Sequence, residues 1–303
     1  MWYSSCVVVL HRWILRHSKH TRSNRIKVER KQGLSNSDRA IIAKLAKAAR
    51  SGLIPVSRAA QVMGGISQRA AAMKLGALTR RGWLLRARRG LYFVLPIEAE
   101  PGRLLVAEDP WVLAREAFSP CYIGGWSAAE HWGLTEQLFR STLVVTAAHI
   151  RERSTKLLGH EFRLFRVPRS RIAGSLVAVW RGAEQVLVSS AERTIVDCLR
   201  RPELCGGMRH LLQFMQEYRH GQGHQLPKLL AAGKEAASGA AWKRLGYLAE
   251  VLWPDESVFL EEARRHITTG NVRLEPAVRH HGKLVRRWRL WVNVPLEKSV
   301  NRS

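Results

Sequence analysis

The run from Ser67 to Pro96 restricts the fold of this chain most. Between Gln68 and Arg81 there is no proline and a single glycine, Gly76. Ser67, just ahead, is the residue type whose hydroxyl accepts from the free amides of a first helical turn. At 100° per residue Ala71, Leu75 and Leu78 share one face, Arg69, Met73, Gly76 and Arg80 take the opposite one, and Lys74 sits on the flank. Gly82 stops the helix. Trp83-Leu84-Leu85 then reads as a short apolar strand, Arg86-Ala87-Arg88-Arg89-Gly90 as a turn, and Leu91–Val94 as a returning strand that Pro96 ends.

The residues upstream complete the pattern. Ser37–Arg50 reads as a helix capped by Ser37 or Asp38, with Ile41, Leu45 and Ala48 as its inner stripe and Ile42 beside them. Gly52 ends it, Leu53–Val56 is extended, Ser57 caps a short helix Arg58–Met63, and Gly64-Gly65 makes a turn. Helix, short helix, glycine turn, helix and hairpin are the order of a winged helix-turn-helix, which places that domain at 37–96. In such a domain the helix after the turn enters the major groove and the hairpin lies along neighbouring phosphates.

Charge agrees with that reading. Residues 37–96 hold twelve Lys/Arg and one acid, Asp38, a balance of +11 within a chain of net charge +26. Arg80, Arg81, Arg86, Arg88 and Arg89 have no acid near them in sequence, so an external polyanion is the expected partner. Double-stranded DNA is the first candidate, and an anionic membrane surface the second. The residues expected at DNA are Ser67, Gln68, Arg69, Met73, Lys74, Arg80, Arg81, Arg86, Arg88 and Arg89, with Gln68 as a base reader.

Around this domain, residues 1–36 read as a basic, disordered leader with one acid, Glu29, and 97–108 as a linker carrying Pro101-Gly102. Residues 109–296 read as a larger mixed α+β domain, and 297–303 as a tail, so the fold class expected is α+β. Within the second domain the pattern gives helices at Pro110–Phe118, Ala128–Trp132, Glu192–Leu199, Met208–Tyr218, Leu226–Ala232 and Ala241–Leu252. Strands are expected at Cys121–Ile123, Thr142–Thr146, Glu161–Val167 and Trp288–Val294, and a hairpin at Leu176–Trp180 and Glu184–Val188. Ser189-Ser190-Ala191-Glu192 reads as a capping box.

Several function classes are disfavoured. Cys6, Cys121, Cys198 and Cys205 show no CxxC spacing, which argues against a zinc ribbon and fits free thiols in a reducing cytoplasm. No apolar run reaches the length of a membrane span. There is no GxxxxGK[ST], no GxGxxG and no nucleophile elbow around Ser127. Glu192 reads as a cap, Asp197 as a solvated or ion-paired helix residue, and His210 lies on a helix among apolar neighbours. His280 and His281, adjacent in a strand, would point to opposite faces. The cluster Arg279, Lys283, Arg286, Arg287 and Arg289 reads as strand-edge protection before a second DNA-facing patch. The expectation is a binding protein with no catalytic set, cofactor or metal. The alternative, a nucleic-acid-processing enzyme anchored by the winged domain, would need clustered carboxylates.

The chain also resembles the AbiEi family of antitoxins from type IV toxin–antitoxin, or abortive-infection, systems. The N-terminal likeness is carried by GLIPVSRAAQVMGGISQRAAAMKLGALTRRGWLLRARRGLYFV. The C-terminal likeness is carried by YIGGWSAAEHWGLTEQ, EFRLFRVP, SSAERTIVDCLRRPELCGG, KRLGYLAEVL and LEPAVRHHGKLVRRWRLWVNV, in that order. The resemblance implies a winged domain that binds inverted repeats in the promoter of its own operon as a transcriptional repressor. It also implies a C-terminal domain that carries antitoxicity against a nucleotidyltransferase-like toxin without binding it directly. Inverted repeats need two copies of the chain, which either dimerise in solution or meet only on the DNA, and the compartment expected is the cytoplasm.

Overall fold

A computed structural model of the chain describes residues 25–27, 33–95, 104–106, 109–221 and 225–296. Most of the leader and of the linker, the tail and Cys6 lie outside the described residues. The fold is α+β, and the chain divides into two compact units. One is Met1–Ala117 with Lys156–Glu161, the other Phe118–Thr155 with Phe162–Ser303.

In the first unit β1 (Arg25–Lys27) pairs antiparallel with β5 (Leu104–Val106). The winged helix-turn-helix follows the expected order: α1 (Asn36–Ala48), β2 (Leu53–Pro55), α2 (Val56–Val62), α3 (Gln68–Arg80), β3 (Leu84–Arg88) and β4 (Leu91–Val94). The strands form an antiparallel sheet in the order β2-β4-β3. Ile42 and Leu45 of α1, Leu75 and Leu78 of α3, and Trp83, Tyr92 and Val94 of the hairpin form its core. Two helix starts differ from expectation. Ser35, not Ser37 or Asp38, caps α1, its Oγ accepting from the Asp38 amide at 3.1 Å. The short helix starts at Val56, so Ser57 is inside it and Pro55 stands at its N-cap without a side-chain bond. The helix α4 (Pro110–Phe118) groups with this unit as far as Ala117.

The second unit holds a six-stranded sheet in the order β10-β11-β6-β7-β9-β8, apart from Lys156–Glu161 at the junction of β8 and β9, which groups with the first unit. Its strands are β6 (Cys121–Ile123), β7 (Ser141–Thr146), β8 (Ser154–Leu157), β9 (His160–Arg166), β10 (Leu176–Arg181) and β11 (Glu184–Ser189). The β10–β11 hairpin is antiparallel, as expected, and β11 joins β6 in parallel. The helices are α5 (Gly125–His131), α6 (Ala191–Arg200), α7 (Met208–His220), α8 (Leu226–Ala236), α9 (Gly239–Leu252) and α10 (Ser257–Arg265). A small sheet, β12 (Val272–Arg273), β14 (Leu290–Val292) and β13 (Lys283–Val285) in that order, closes the unit. One core joins these helices, with Ile195, Phe214, Leu245 and Trp288 fully buried.

Of the expectations about this unit that change, three have a local cause. α5 starts three residues earlier than predicted, at Gly125. That residue has φ +50°, and a Cβ there would lie 2.3 Å from the Leu204 carbonyl, so only glycine fits. The last strand is shorter than Trp288–Val294. Arg286–Trp288 forms a 3-10 turn and Arg289 adopts a left-handed backbone before β14 begins. Ser190 caps α6 through the Arg193 amide at 3.1 Å, but Glu192 does not close a capping box. It stands one position too early for that, and its carboxylate instead accepts from the Tyr218 hydroxyl at 3.0 Å.

Candidate nucleic-acid interface

The orientation of α3 follows from its apolar stripe. Ala71, Leu75 and Leu78 are fully buried, which turns the opposite face outward. Ser67 caps the helix as predicted, its Oγ accepting from the Ala70 amide at 3.2 Å. Gly64 and Gly65, both at positive φ, make the tight turn from α2. Gln68, Arg69 and Arg80 are exposed, and Met73 keeps 69% of its surface. A methionine left that open on an outer helix face is available for a partner to bury.

The wing differs in detail from its predicted form. β3 extends through Arg88, so Arg86 and Arg88 lie on a strand, and the turn is Arg89-Gly90 alone. The pairing register slips between Arg86, opposite Tyr92, and Arg88, opposite Leu91. The extra residue is Ala87. A bulge of this kind bends the strand and re-aims its side chains, and here Arg86, Arg88 and Arg89 are all exposed. The Val56 amide donates to the Gly90 carbonyl at 3.0 Å, which ties the tip to the start of α2.

Two of the expected contact residues are engaged inside the domain. The Asp38 side chain is 7% exposed and lies 2.7 Å from Lys74 Nζ. It also accepts from Arg81 Nη1, while Arg81 Nη2 donates to the Gly33 carbonyl. The expectation that Arg81 has no local counter-charge therefore fails, and Lys74 is shared. Asp38 stands three residues past its Ser35 cap on α1, and α3 brings Lys74 and the residue after its end, Arg81, to the same point. The Lys74 ammonium and the Arg81 guanidinium lower the Asp38 pKa to about 2. Arg69, Arg80, Arg86, Arg88 and Arg89 remain as the exposed arginines of the predicted set.

The second unit shows what sequence reasoning missed. Asp197, expected as solvated or ion-paired, is buried at the centre of a network on α6. Its Oδ2 accepts from Arg193 Nε at 3.0 Å and from the Tyr122 hydroxyl at 2.7 Å. Burial and the Asp197 charge raise the Tyr122 pKa and keep the phenol protonated. The i,i+4 spacing of Arg193 and Asp197 is the signal that could have disclosed the pair. Lys243 and Arg244 on α9 are also buried, and both are satisfied by backbone carbonyls. Lys243 Nζ donates to Gly270 at 2.7 Å, and Arg244 Nη1 donates to Leu199 at 2.8 Å.

The remaining candidates stay apart. His210 Nδ1 lies 3.1 Å from the Gly206 carbonyl, and His280 and His281 are exposed. Within the late basic cluster, Arg287 pairs with Glu250 at 2.7 Å. Among the described residues no group of three or more His, Cys, Asp or Glu is placed to hold a metal, and no helix is long and apolar enough to cross a membrane. Cys121, Cys198 and Cys205 are buried and form no disulfide.

No family model and no curated protein matches the chain. Its fold is similar to the crystal structure of the RV2827C protein from Mycobacterium tuberculosis, with a TM-score of 0.55 at 18% sequence identity. The likeness covers 87% of this chain and 93% of that one. At that identity the likeness concerns the fold, and it extends across both units.

Proposed function

We propose that this chain is a DNA-binding transcriptional repressor of its own operon and the antitoxin of a type IV system, opposing a nucleotidyltransferase-like toxin. The observation that carries the DNA-binding reading is the joint exposure of the outer α3 face and the wing. Gln68 and Arg69 stand at the start of α3, Arg80 at its end, and Arg86 and Arg89 on the hairpin, all exposed in a segment of net charge +11. An amide side chain reads adenine in the major groove, and a guanidinium reads guanine. The wing arginines hold phosphates and set the register. Lys74 and Arg81 act chiefly through Asp38, by bracing α3 against α1.

The antitoxin role comes from the AbiEi resemblance, which spans both units, and is assigned to the second unit. Repression from inverted repeats uses two copies of the chain, one on each half-site.

The test is titration of the full chain against a duplex from the region upstream of its gene, followed by fluorescence anisotropy across a salt series. Four to five arginines on phosphates give a slope of log K against log salt of about −4. The upstream duplex should outcompete a scrambled one. Binding that ignores salt, or that is equal for both duplexes, would overturn the repressor reading. Co-expression with the product of the adjacent gene tests the antitoxin role, with rescue of growth expected.

A further inference from the structure

The second unit contains a cationic cavity that DNA binding by the winged domain does not use. It has a volume of about 50 Å³ and is bounded by Tyr122, Arg171, Arg193, Asp197, Arg200 and Arg201, with Phe165 and Leu204 on its apolar wall. A cavity needs only about 10–15 Å³ to admit one water, so this one takes a few waters or one tetrahedral oxyanion. A duplex backbone is too large for it.

Charge is unbalanced there. Four guanidiniums surround one carboxylate. Asp197 Oδ2 is taken by Arg193 and Tyr122, and its Oδ1 lies 3.6 Å from Arg200 Nη1, beyond good hydrogen-bonding distance. Arg193 reaches the Ala173 and Arg171 carbonyls only at 3.4 Å. Arg171 Nη1 donates to the Ala236 carbonyl at 3.0 Å. Arg200 Nε is buried with no acceptor, a condition native proteins rarely leave without a ligand or ordered water. Burial and the nearby Arg171 cation both lower the Arg200 pKa, as expected where positive charge exceeds its local counter-charge.

The geometry points to an oxyanion site: this cavity binds free phosphate or the terminal phosphoryl group of a small phosphorylated molecule. Guanidinium forks match the oxygens of a phosphoryl group and hold it in two-point contacts. Asp197 has a positioning part. It fixes Arg193 and the Tyr122 phenol and leaves Arg200 and Arg201 to meet the ligand. The apolar wall strengthens each charged contact by lowering the local dielectric.

Isothermal titration of the full chain with inorganic phosphate and with AMP tests this. The variants are Arg200→Gln, Arg201→Gln, and Arg86→Gln combined with Arg89→Gln as a control for the wing. Saturable binding at one site per chain is expected in the wild type and in the wing control, and about tenfold weaker in Arg200→Gln. Arg201, exposed and outside the Asp197 network, supplies a second variant with the same expected direction should Arg200→Gln fold poorly. AMP binding tighter than phosphate assigns the site to a phosphomonoester, and the reverse assigns it to free phosphate. Affinity unchanged in both cavity variants, loss of binding in the wing control, or no saturable binding would each overturn the proposal. The wing control also keeps this result separable from failure of the DNA-binding reading.

Discussion

Asp38 shows how a single residue can decide the winged domain. It is the one acid among residues 37–96, and it joins the first turn of α1 to both Lys74 and Arg81 of the α3 region. Its folded pKa of about 2 lies below the ordinary 3.8, so the fold favours the charged carboxylate. The stabilisation is therefore complete above the ordinary value and is lost as pH falls through about 2. Lys74 is 41% exposed, and solvent screening reduces the contribution to about 1–2 kcal/mol. Asp38→Asn should lower stability by that amount at neutral pH and flatten the acid limb, as measured by urea unfolding at a series of pH values. Asp197 is more deeply placed. Asp197→Asn leaves the Arg193 charge buried without its partner and should cost about 3–5 kcal/mol. Tyr122→Phe, which removes one hydrogen bond to a charged acceptor, should cost about 1.5–3 kcal/mol, read by the same unfolding measurement. Neither acid's placement was legible beforehand. Asp38 meets partners some 36 and 43 positions away, and only the packing of α3 on α1 brings them together. For Asp197 an ion pair was one of the two expectations, but sequence periodicity does not reveal that α6 is covered on nearly every side, so the burial of that pair was not foreseen.

At the scale of elements, α3 was legible to its ends, the tip of the wing was not, and β8 and α10 were not anticipated. The cap, the buried stripe and the glycine stop of α3 are local properties, and all three occur where the sequence places them. The end of the wing depends on a bulge at Ala87, and alanine gives no polarity signal for an extra residue. The same locality explains why the start of α5 escaped detection: its glycine is required by the Leu204 carbonyl, a contact from a distant turn. The elements also predict different binding phenotypes. Gln68→Ala or Arg69→Ala should relax preference at one base pair by about 1–3 kcal/mol. Arg89→Ala should weaken binding to every duplex alike and reduce the salt slope by about 1, and anisotropy against a panel of single-base operator variants separates the two. In α9 the close approach of Gly246 to Trp288 places any added Cβ 2.0 Å from the indole. Trp288 is fixed from its other edge by a 2.9 Å bond from Nε1 to Glu250. Gly246→Ala should therefore destabilise the second unit by about 1–3 kcal/mol or more through overpacking, measurable as a lowered thermal midpoint.

The whole molecule divides its charge unevenly, with +11 of the chain's +26 in the sixty residues of the winged segment. The second unit instead uses its buried charges internally, as Arg193 with Asp197, and as Lys243 and Arg244 on carbonyls. If the proposed function is correct, repression and antitoxicity depend on different charge sets and should be separable by mutation. Replacing Arg86 and Arg89 with alanine removes exposed cations without touching the winged core, so the chain should stay folded. That variant should lose repression of a reporter driven by its own promoter. Expressed from an unrelated inducible promoter, it should still rescue cells from the toxin, because the second unit is unchanged. Asp197→Asn should give the opposite pattern, with the winged unit still on DNA and rescue lost as the second unit unfolds. A wing variant that loses both activities would tie antitoxicity to DNA binding and leave the second unit without the role proposed for it.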